Sequence, residues 1–114
     1  MVGVLALQGN FASHIHILNQ IGVSSKLVKT LEDLSGINGL IIPGGESTTM
    51  SNLLLRDQSF IDGIKSLSID KPILGTCAGL ILMSKNSFDK KVLNMNIIDI
   101  EVSRNAYGRQ VHSF

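Results

Sequence analysis

A doubly wound α/β fold of the flavodoxin-like kind, with a mostly parallel sheet and helices on both faces, is what this sequence predicts. Three observations lead there. Apolar runs at Val2–Leu7 and Gly39–Ile42 have no polar interruption, as in parallel strands covered on both sides. Each run is followed by a glycine-bearing turn and then a segment of helical period, the alternation that winds a parallel sheet. With 114 residues, 44% of them hydrophobic, the chain suffices for one packed domain and no more.

The elements follow in order. After the strand Val2–Leu7, Gly9 makes a turn and Asn10 is a candidate N-cap. Phe11, Ile15 and Leu18 share one helical stripe, and Gly22 closes that helix. Lys26–Lys29 is a weaker strand. Thr30 and Asp33 stand at capping-box spacing before a short helical piece, with Asp a poorer partner than Glu. Gly39–Ile42 is the next buried strand, ended by Pro43-Gly44-Gly45. Helical sequence runs from Thr48 to Leu55, and a second helix carries Phe60, Ile61, Ile64 and Leu67. Pro72–Leu74 opens a strand and Leu80–Ser84 reads as a helix. From Ile98 the pattern turns to alternation, Ile98, Ile100 and Val102 against Asp99, Glu101 and Ser103, which predicts an antiparallel appendage with one wet face.

No repeat, low-complexity tract or linker divides residues 1–114, so they read as a single domain. Val111-His112-Ser113-Phe114 ends in strand-compatible residues with no closing helix. An uncovered sheet edge is a liability, so the expectation is a partial domain whose C-terminal part is missing. Ten basic against nine acidic residues give a net charge of +1, which supplies no field for nucleic acid or anionic lipid. Cys77 is alone, so there is no disulfide framework. The longest apolar stretch, Ile73 to Met83, has 11 residues, where a membrane span needs about 20. The N-terminus has no basic region and turns polar at Gln8, unlike a secretion signal. A soluble, cytoplasmic protein is expected.

The sharpest chemical signal is Gly75-Thr76-Cys77-Ala78-Gly79, with Ile73-Leu74 before it and Leu80-Ile81-Leu82-Met83 after it. This is a G-x-C-x-G nucleophile elbow in the strand–turn–helix context that the motif demands. Residues two places either side of such a nucleophile pack closely, and free amides at a helix start favour negative charge there. The amide of Ala78 would face an oxyanion formed beside the sulfur. The bland reading, Cys77 as a small buried hydrophobe, leaves both flanking glycines unexplained. A second signal is Gly44-Gly45-Glu46-Ser47-Thr48-Thr49, also straight after a buried strand. Alone it would pass for an ordinary turn capped by Ser47 or Thr48. Its position decides, since ligands of doubly wound sheets bind beyond the strands' carboxyl ends. The amides of Gly45 and Ala78 are therefore expected to converge as an oxyanion hole. The third stretch, Arg104-Asn105-Ala106-Tyr107-Gly108-Arg109-Gln110, suits a carboxylate clamp and a solvated loop equally well. His14 and His16, two apart on a helix, point about 200° apart and cannot share an ion. No zinc spacing and no phosphate or dinucleotide fingerprint is present, and five scattered aromatics make no base-stacking platform.

Taken together, Val4–Gly9, Leu40–Met50, Gly75–Leu82 and Arg104–Val111 resemble the glutaminase subunits of pyridoxal 5′-phosphate synthase, within the class I, triad-type glutamine amidotransferases. The likeness runs in order along essentially the whole chain. The Gly-Gly-Glu-Ser-Thr-Thr and Arg-Asn-x-x-Gly-Arg-Gln blocks are particular to this branch, while the cysteine elbow is shared more widely. The resemblance implies that Cys77 attacks the side-chain amide of L-glutamine, giving a glutamyl thioester and ammonia. It also implies that Gly45, Glu46 and Ser47 bind the glutamine, with Arg104 as a later contact. Ammonia would pass to a barrel-shaped synthase subunit that builds pyridoxal 5′-phosphate, and neither metal nor organic cofactor is needed.

Departures from the family matter too. Its catalytic His and Glu lie together farther downstream, no position in these 114 residues matches them, and His112 stands where relatives usually carry Asp. The first alternative is thus a truncated, inactive remnant that at most docks to the synthase. The second is a cysteine-elbow hydrolase or redox sensor, which would form a sulfenic acid at Cys77 without need of glutamine.

Overall fold

The computed structural model describes residues 1–87 and 90–98. Four strands, β1 (Val2–Leu5), β2 (Ser25–Val28), β3 (Gly39–Ile42) and β4 (Ile73–Gly75), alternate with helices α1 (Phe11–Gln20), α2 (Ser47–Leu54), α3 (Gln58–Leu67) and α4 (Ala78–Met83). A 3-10 turn, Leu31–Leu34, follows β2. All strand pairs are parallel, in the order β2-β1-β3-β4. This is the parallel α/β fold that the apolar runs foretold. The predicted appendage beyond Ile98 lies outside the described residues.

Apart from β3, strand ends differ by a residue or two from the sequence reading. β1 stops at Leu5, although the Ala6 amide still donates to the Val28 carbonyl at 2.9 Å. α2 and α4 begin earlier than the patterns suggested, because caps, rather than the first apolar side chain, set a helix start. Asn10 stands at the N-cap of α1 but accepts no backbone amide; its Oδ1 takes the Ser13 hydroxyl at 2.8 Å. Gly22, with φ +77, ends α1 as expected, and the Val23 amide reaches back to the Leu18 carbonyl at 2.9 Å. Asp33 fulfils its half of the box: its Oδ2 accepts from the Lys29 and Thr30 amides at 2.9 and 3.1 Å.

The register sorts the strand residues onto two faces. Leu5, Val28, Leu40 and Ile42 lie in the main core with Met50, Leu54, Phe60, Ile64 and Leu82, so the 3-10 turn and α2 to α4 cover that side. On the opposite face α1 packs against β1 and β2. Beside it Ile41 is buried but its β4 partner Leu74 is 56% exposed. Helices therefore occupy both faces, unequally among the described residues.

The segment 92–98 runs along the end of α4. Amides of Met95, Asn96 and Ile97 donate to the carbonyls of Leu82, Ser84 and Met83 at 2.7, 3.1 and 2.8 Å. Asn94 Nδ2 adds bonds to the Ile81 carbonyl at 2.9 Å and Ser84 Oγ at 3.1 Å. Carbonyls that a helix end leaves unpaired are thereby satisfied. No helix among the described residues is long and apolar enough to cross a membrane.

Candidate active site

The chain leaves β1 toward β2 and leaves β3 toward β4, so the sheet's switch point falls between β1 and β3. Loops after two such strands diverge and leave a crevice at their carboxyl ends. Three turns meet there: residues 6–10 after β1, 43–46 after β3, and 76–77 after β4.

Cys77 occupies the third turn. Its backbone sits at φ 50 and ψ −113, immediately before α4, with the thiol exposed. A residue bearing a Cβ adopts such a conformation only where surrounding structure enforces it. The enforcement is visible. The Thr76 amide donates to the Ile42 carbonyl at 3.1 Å, which extends the β3–β4 ladder into the turn. The Gly79 amide closes it on the Thr76 carbonyl at 2.8 Å. Gly79 lies so close to β3 that a Cβ there would overlap the Ile42 carbonyl oxygen and stand 2.8 Å from its carbon. A Cβ on Gly75 would stand 2.9 Å from the Gly79 carbonyl carbon. The two glycines flanking the cysteine are thus needed for the close approach of β3, β4 and α4 around this turn.

The second turn lies against the first and third. A Cβ on Gly44 would stand 3.2 Å from Cys77 Cβ and 3.8 Å from its sulfur. On the other side, Gly9 packs on Gly44 and Gly45, and the Asn10 amide donates to the Gly44 carbonyl at 2.9 Å. The Glu46 amide donates to Gln8 Oε1, also at 2.9 Å. Glu46 itself is the N-cap of α2: its carboxylate accepts from the Thr48 and Thr49 amides at 3.2 and 2.7 Å and from Thr49 Oγ1 at 2.9 Å. Ser47 is buried in the first turn of that helix. Its carbonyl accepts the Ser51 hydroxyl at 2.6 Å, and Ser51 Oγ in turn accepts the Leu93 amide at 2.8 Å.

Of the residues singled out from sequence, Cys77, Ala78, Gly45, Glu46 and Ser47 therefore belong to one cluster of turns, while Arg104 lies outside the described residues. His14 and His16 are on α1. The sequence marked Gly9 as a turn and Asn10 as a helix N-cap, and gave no role to Gln8; all three brace the second turn. The polar break after Leu5-Ala6-Leu7, read with the switch-point rule, puts these residues at the crevice, but does not say which groups they bond.

Comparison with known proteins gives a consistent picture. The model of the SNO glutamine amidotransferase family matches residues 4–114. Over 113 residues the chain is 50% identical to pyridoxal 5′-phosphate synthase subunit PdxT of Francisella philomiragia, covering 99% of this chain and 60% of that protein. The PdxT subunit of Francisella tularensis subsp. tularensis is 49% identical over the same length and with the same coverage. A solved structure described as a glutamine amidotransferase superposes with a TM-score of 0.85 at 38% identity, over 96% of this chain and 59% of the other. The chain spans about 60% of the length of the curated relatives it matches.

Proposed function

We propose that this chain, which belongs to the SNO glutamine amidotransferase family, carries the nucleophile side of a glutaminase serving pyridoxal 5′-phosphate synthesis. In this reading the Cys77 sulfur attacks the side-chain carbonyl carbon of L-glutamine. The carbonyl oxygen becomes an oxyanion held by the amides of Gly45 and Ala78, each donor of this kind being worth about 2.7–4 kcal/mol in an acyl-transfer transition state. The C–N bond then breaks, nitrogen leaves with an added proton as ammonia, and water releases glutamate from the thioester. Gly45, Glu46 and Ser47 form the near wall of the glutamine pocket, and Arg104 is its carboxylate clamp. The proton acceptor and donor for these steps are the His and Glu that the family carries downstream.

One observation carries the reading. The strained, exposed Cys77 lies in packing contact with Gly44, the residue next to the proposed oxyanion donor. Relatives named as a subunit of a synthase support a partner that consumes the ammonia, for which we propose a barrel-shaped synthase subunit in the cytoplasm. The test is covalent capture with 6-diazo-5-oxo-L-norleucine, a glutamine diazoketone, located by peptide mass spectrometry. The expected adduct is on Cys77, suppressed by excess L-glutamine and absent in Cys77→Ala. Failure to label Cys77 both with and without the synthase refutes the reading.

A further inference from the structure

α4 is six residues long, and the strained Cys77 stands at its N-cap. A helix that short is not stable in water by itself, and a strained backbone persists only where its surroundings over-determine it. No side chain caps the helix at the cysteine. The opposite end is held instead, by the strap 92–98. The carbonyls of Leu82, Met83 and Ser84 accept the amides of Met95, Ile97 and Asn96, and the Met83 carbonyl takes the Ile98 amide as well, at 3.2 Å. Among the described residues one side chain of the strap bonds the helix end. Asn94 Nδ2 donates to the Ile81 carbonyl at 2.9 Å and to Ser84 Oγ at 3.1 Å. Its Oδ1 accepts the Ser87 amide at 3.3 Å and the Ser87 hydroxyl at 3.1 Å. A carbonyl on one side and an N–H on the other fix which way the Asn94 amide points. Ser84 and Ser87 are buried, so this knot lies where polar bonds are strong and their loss is costly.

We infer that Asn94 is a positioning residue for Cys77: by tying the carboxyl end of α4 to the strap, it keeps the strained turn at the other end of the helix from relaxing. This rests on the reading of Cys77 as the nucleophile. Two connections carry the hold along the helix. The first is Ile81, whose amide donates to the Cys77 carbonyl at 3.3 Å and whose own carbonyl is the one that Asn94 grips. The second is packing. Met83, buried at the end of α4, turns its sulfur back against Gly75, the first glycine of the cysteine turn, and its carbonyl is the one the strap holds twice. Slackening at the helix end therefore reaches Cys77 through the main chain and through the side chain beneath it. Asn94 acts through α4 and needs no contact with the substrate.

The test uses three variants of the full chain. Asn94→Leu removes every bond of the knot, Asn94→Asp keeps an acceptor for Ser87 and loses the donor to α4, and Ser87→Ala weakens the knot while leaving that donor in place. Two quantities are measured. The first is hydrogen exchange at the Gly79 amide, which closes the cysteine turn on the Thr76 carbonyl, with the Val4 and Leu40 amides as controls for the fold. The second is the ratio of Cys77 alkylation rates by the glutamine diazoketone, which needs the thiol in place against the glutamine pocket, and by iodoacetamide, which needs only an exposed thiol. In both Asn94 variants Gly79 exchange should rise roughly three- to ten-fold, the factor for one neutral hydrogen bond. The ratio should fall by about as much, with Val4 and Leu40 unchanged and Ser87→Ala near the parent in both. Gly79 exchange unchanged in the Asn94 variants overturns the inference, even where Met95 and Ile97 exchange faster, because the role is then local to the strap. So does an unchanged ratio, an equal effect from Ser87→Ala, or protection lost at Val4 and Leu40 in step with Gly79 in both Asn94 variants, which marks a merely structural residue. If the parent chain takes up no diazoketone, the glutaminase reading fails, and Gly79 exchange alone then decides whether Asn94 holds the cysteine turn.

Discussion

Substituting Gly79 by alanine sets two effects of opposite sign against each other. Gly79 lies in the first turn of α4, where helix propensity alone favours alanine by about 1 kcal/mol. Against that, the new methyl would overlap the Ile42 carbonyl oxygen and stand 2.8 Å from its carbon. Ordinary van der Waals contact begins at about 3.4 Å, so helix and strand must part by at least about 0.6 Å to clear the carbon, and by more to clear the oxygen. Neither side yields easily: Ile42 is fully buried in the central strand, and the obstructing atoms are backbone. Overpacking of this kind costs about 1–3 kcal/mol and more where the main chain has to move. A net loss of about 2 kcal/mol is therefore expected for Gly79→Ala. The assay is the urea midpoint at constant m value, with Gly36→Ala as reference. Gly36, at φ +79 with open space around it, should lose about 1 kcal/mol from backbone strain alone. A Gly79→Ala chain as stable as the parent, or more so, would refute the reasoning by showing that propensity outweighs the contact.

Other expectations follow the same logic. Ser51→Ala should cost about 1–3 kcal/mol in urea titration, because the Leu93 amide loses its acceptor and Ser51 is fully buried. Gly44→Ala puts a methyl 3.2 Å from Cys77 Cβ and 3.8 Å from its sulfur; alkylation of Cys77 by iodoacetamide should slow severalfold while the unfolding free energy from urea titration falls by about 1 kcal/mol, the low end for overpacking. Glu46→Ala should destabilise by about 1 kcal/mol through loss of the α2 cap. The carboxyl of Asp33 is held below its ordinary 3.8, chiefly by the Lys29 amide and then by the Thr30 amide, with desolvation opposing. A depressed carboxylate contributes stability above its unfolded pKa and loses it as pH falls through the folded value. Acid titration of Asp33→Asn followed by circular dichroism should therefore show a shallower loss of structure below about pH 4.

Much of this architecture was legible because a few residue types admit few conformations. Gly39–Ile42 matched residue for residue, since a continuous apolar run closed by Pro43 leaves little choice of where a strand stops. Gly22 ended α1 for the reason glycine usually ends helices. The cysteine turn was recognisable from its paired glycines, and the structure supplies the clashes that demand them. What escaped were long-range polar contacts. Nothing local marks Gln8 as the acceptor for an amide 38 residues away, or Ser51 as the acceptor for one 42 residues away. Asn10 stands at the N-cap position its sequence marked, but nothing local shows that its backbone N–H donates to the Gly44 carbonyl, 34 residues away. Propensity describes a residue among its sequence neighbours, whereas these bonds depend on which strands the sheet places side by side.

The backbone at Cys77 has a consequence for how such a protein changes under selection. A conformation at φ 50 and ψ −113 penalises any residue with a Cβ by about 1–3 kcal/mol, a sizeable fraction of the 5–15 kcal/mol that typically separates folded from unfolded domains. Directed evolution for heat resistance, run with no demand for chemistry, should enrich Cys77→Gly among its survivors. A screen that retains reaction with the glutamine diazoketone should hold the thiol in place and push its gains to distant positions. Thermal ruggedness and covalent reactivity thus pull position 77 in opposite directions.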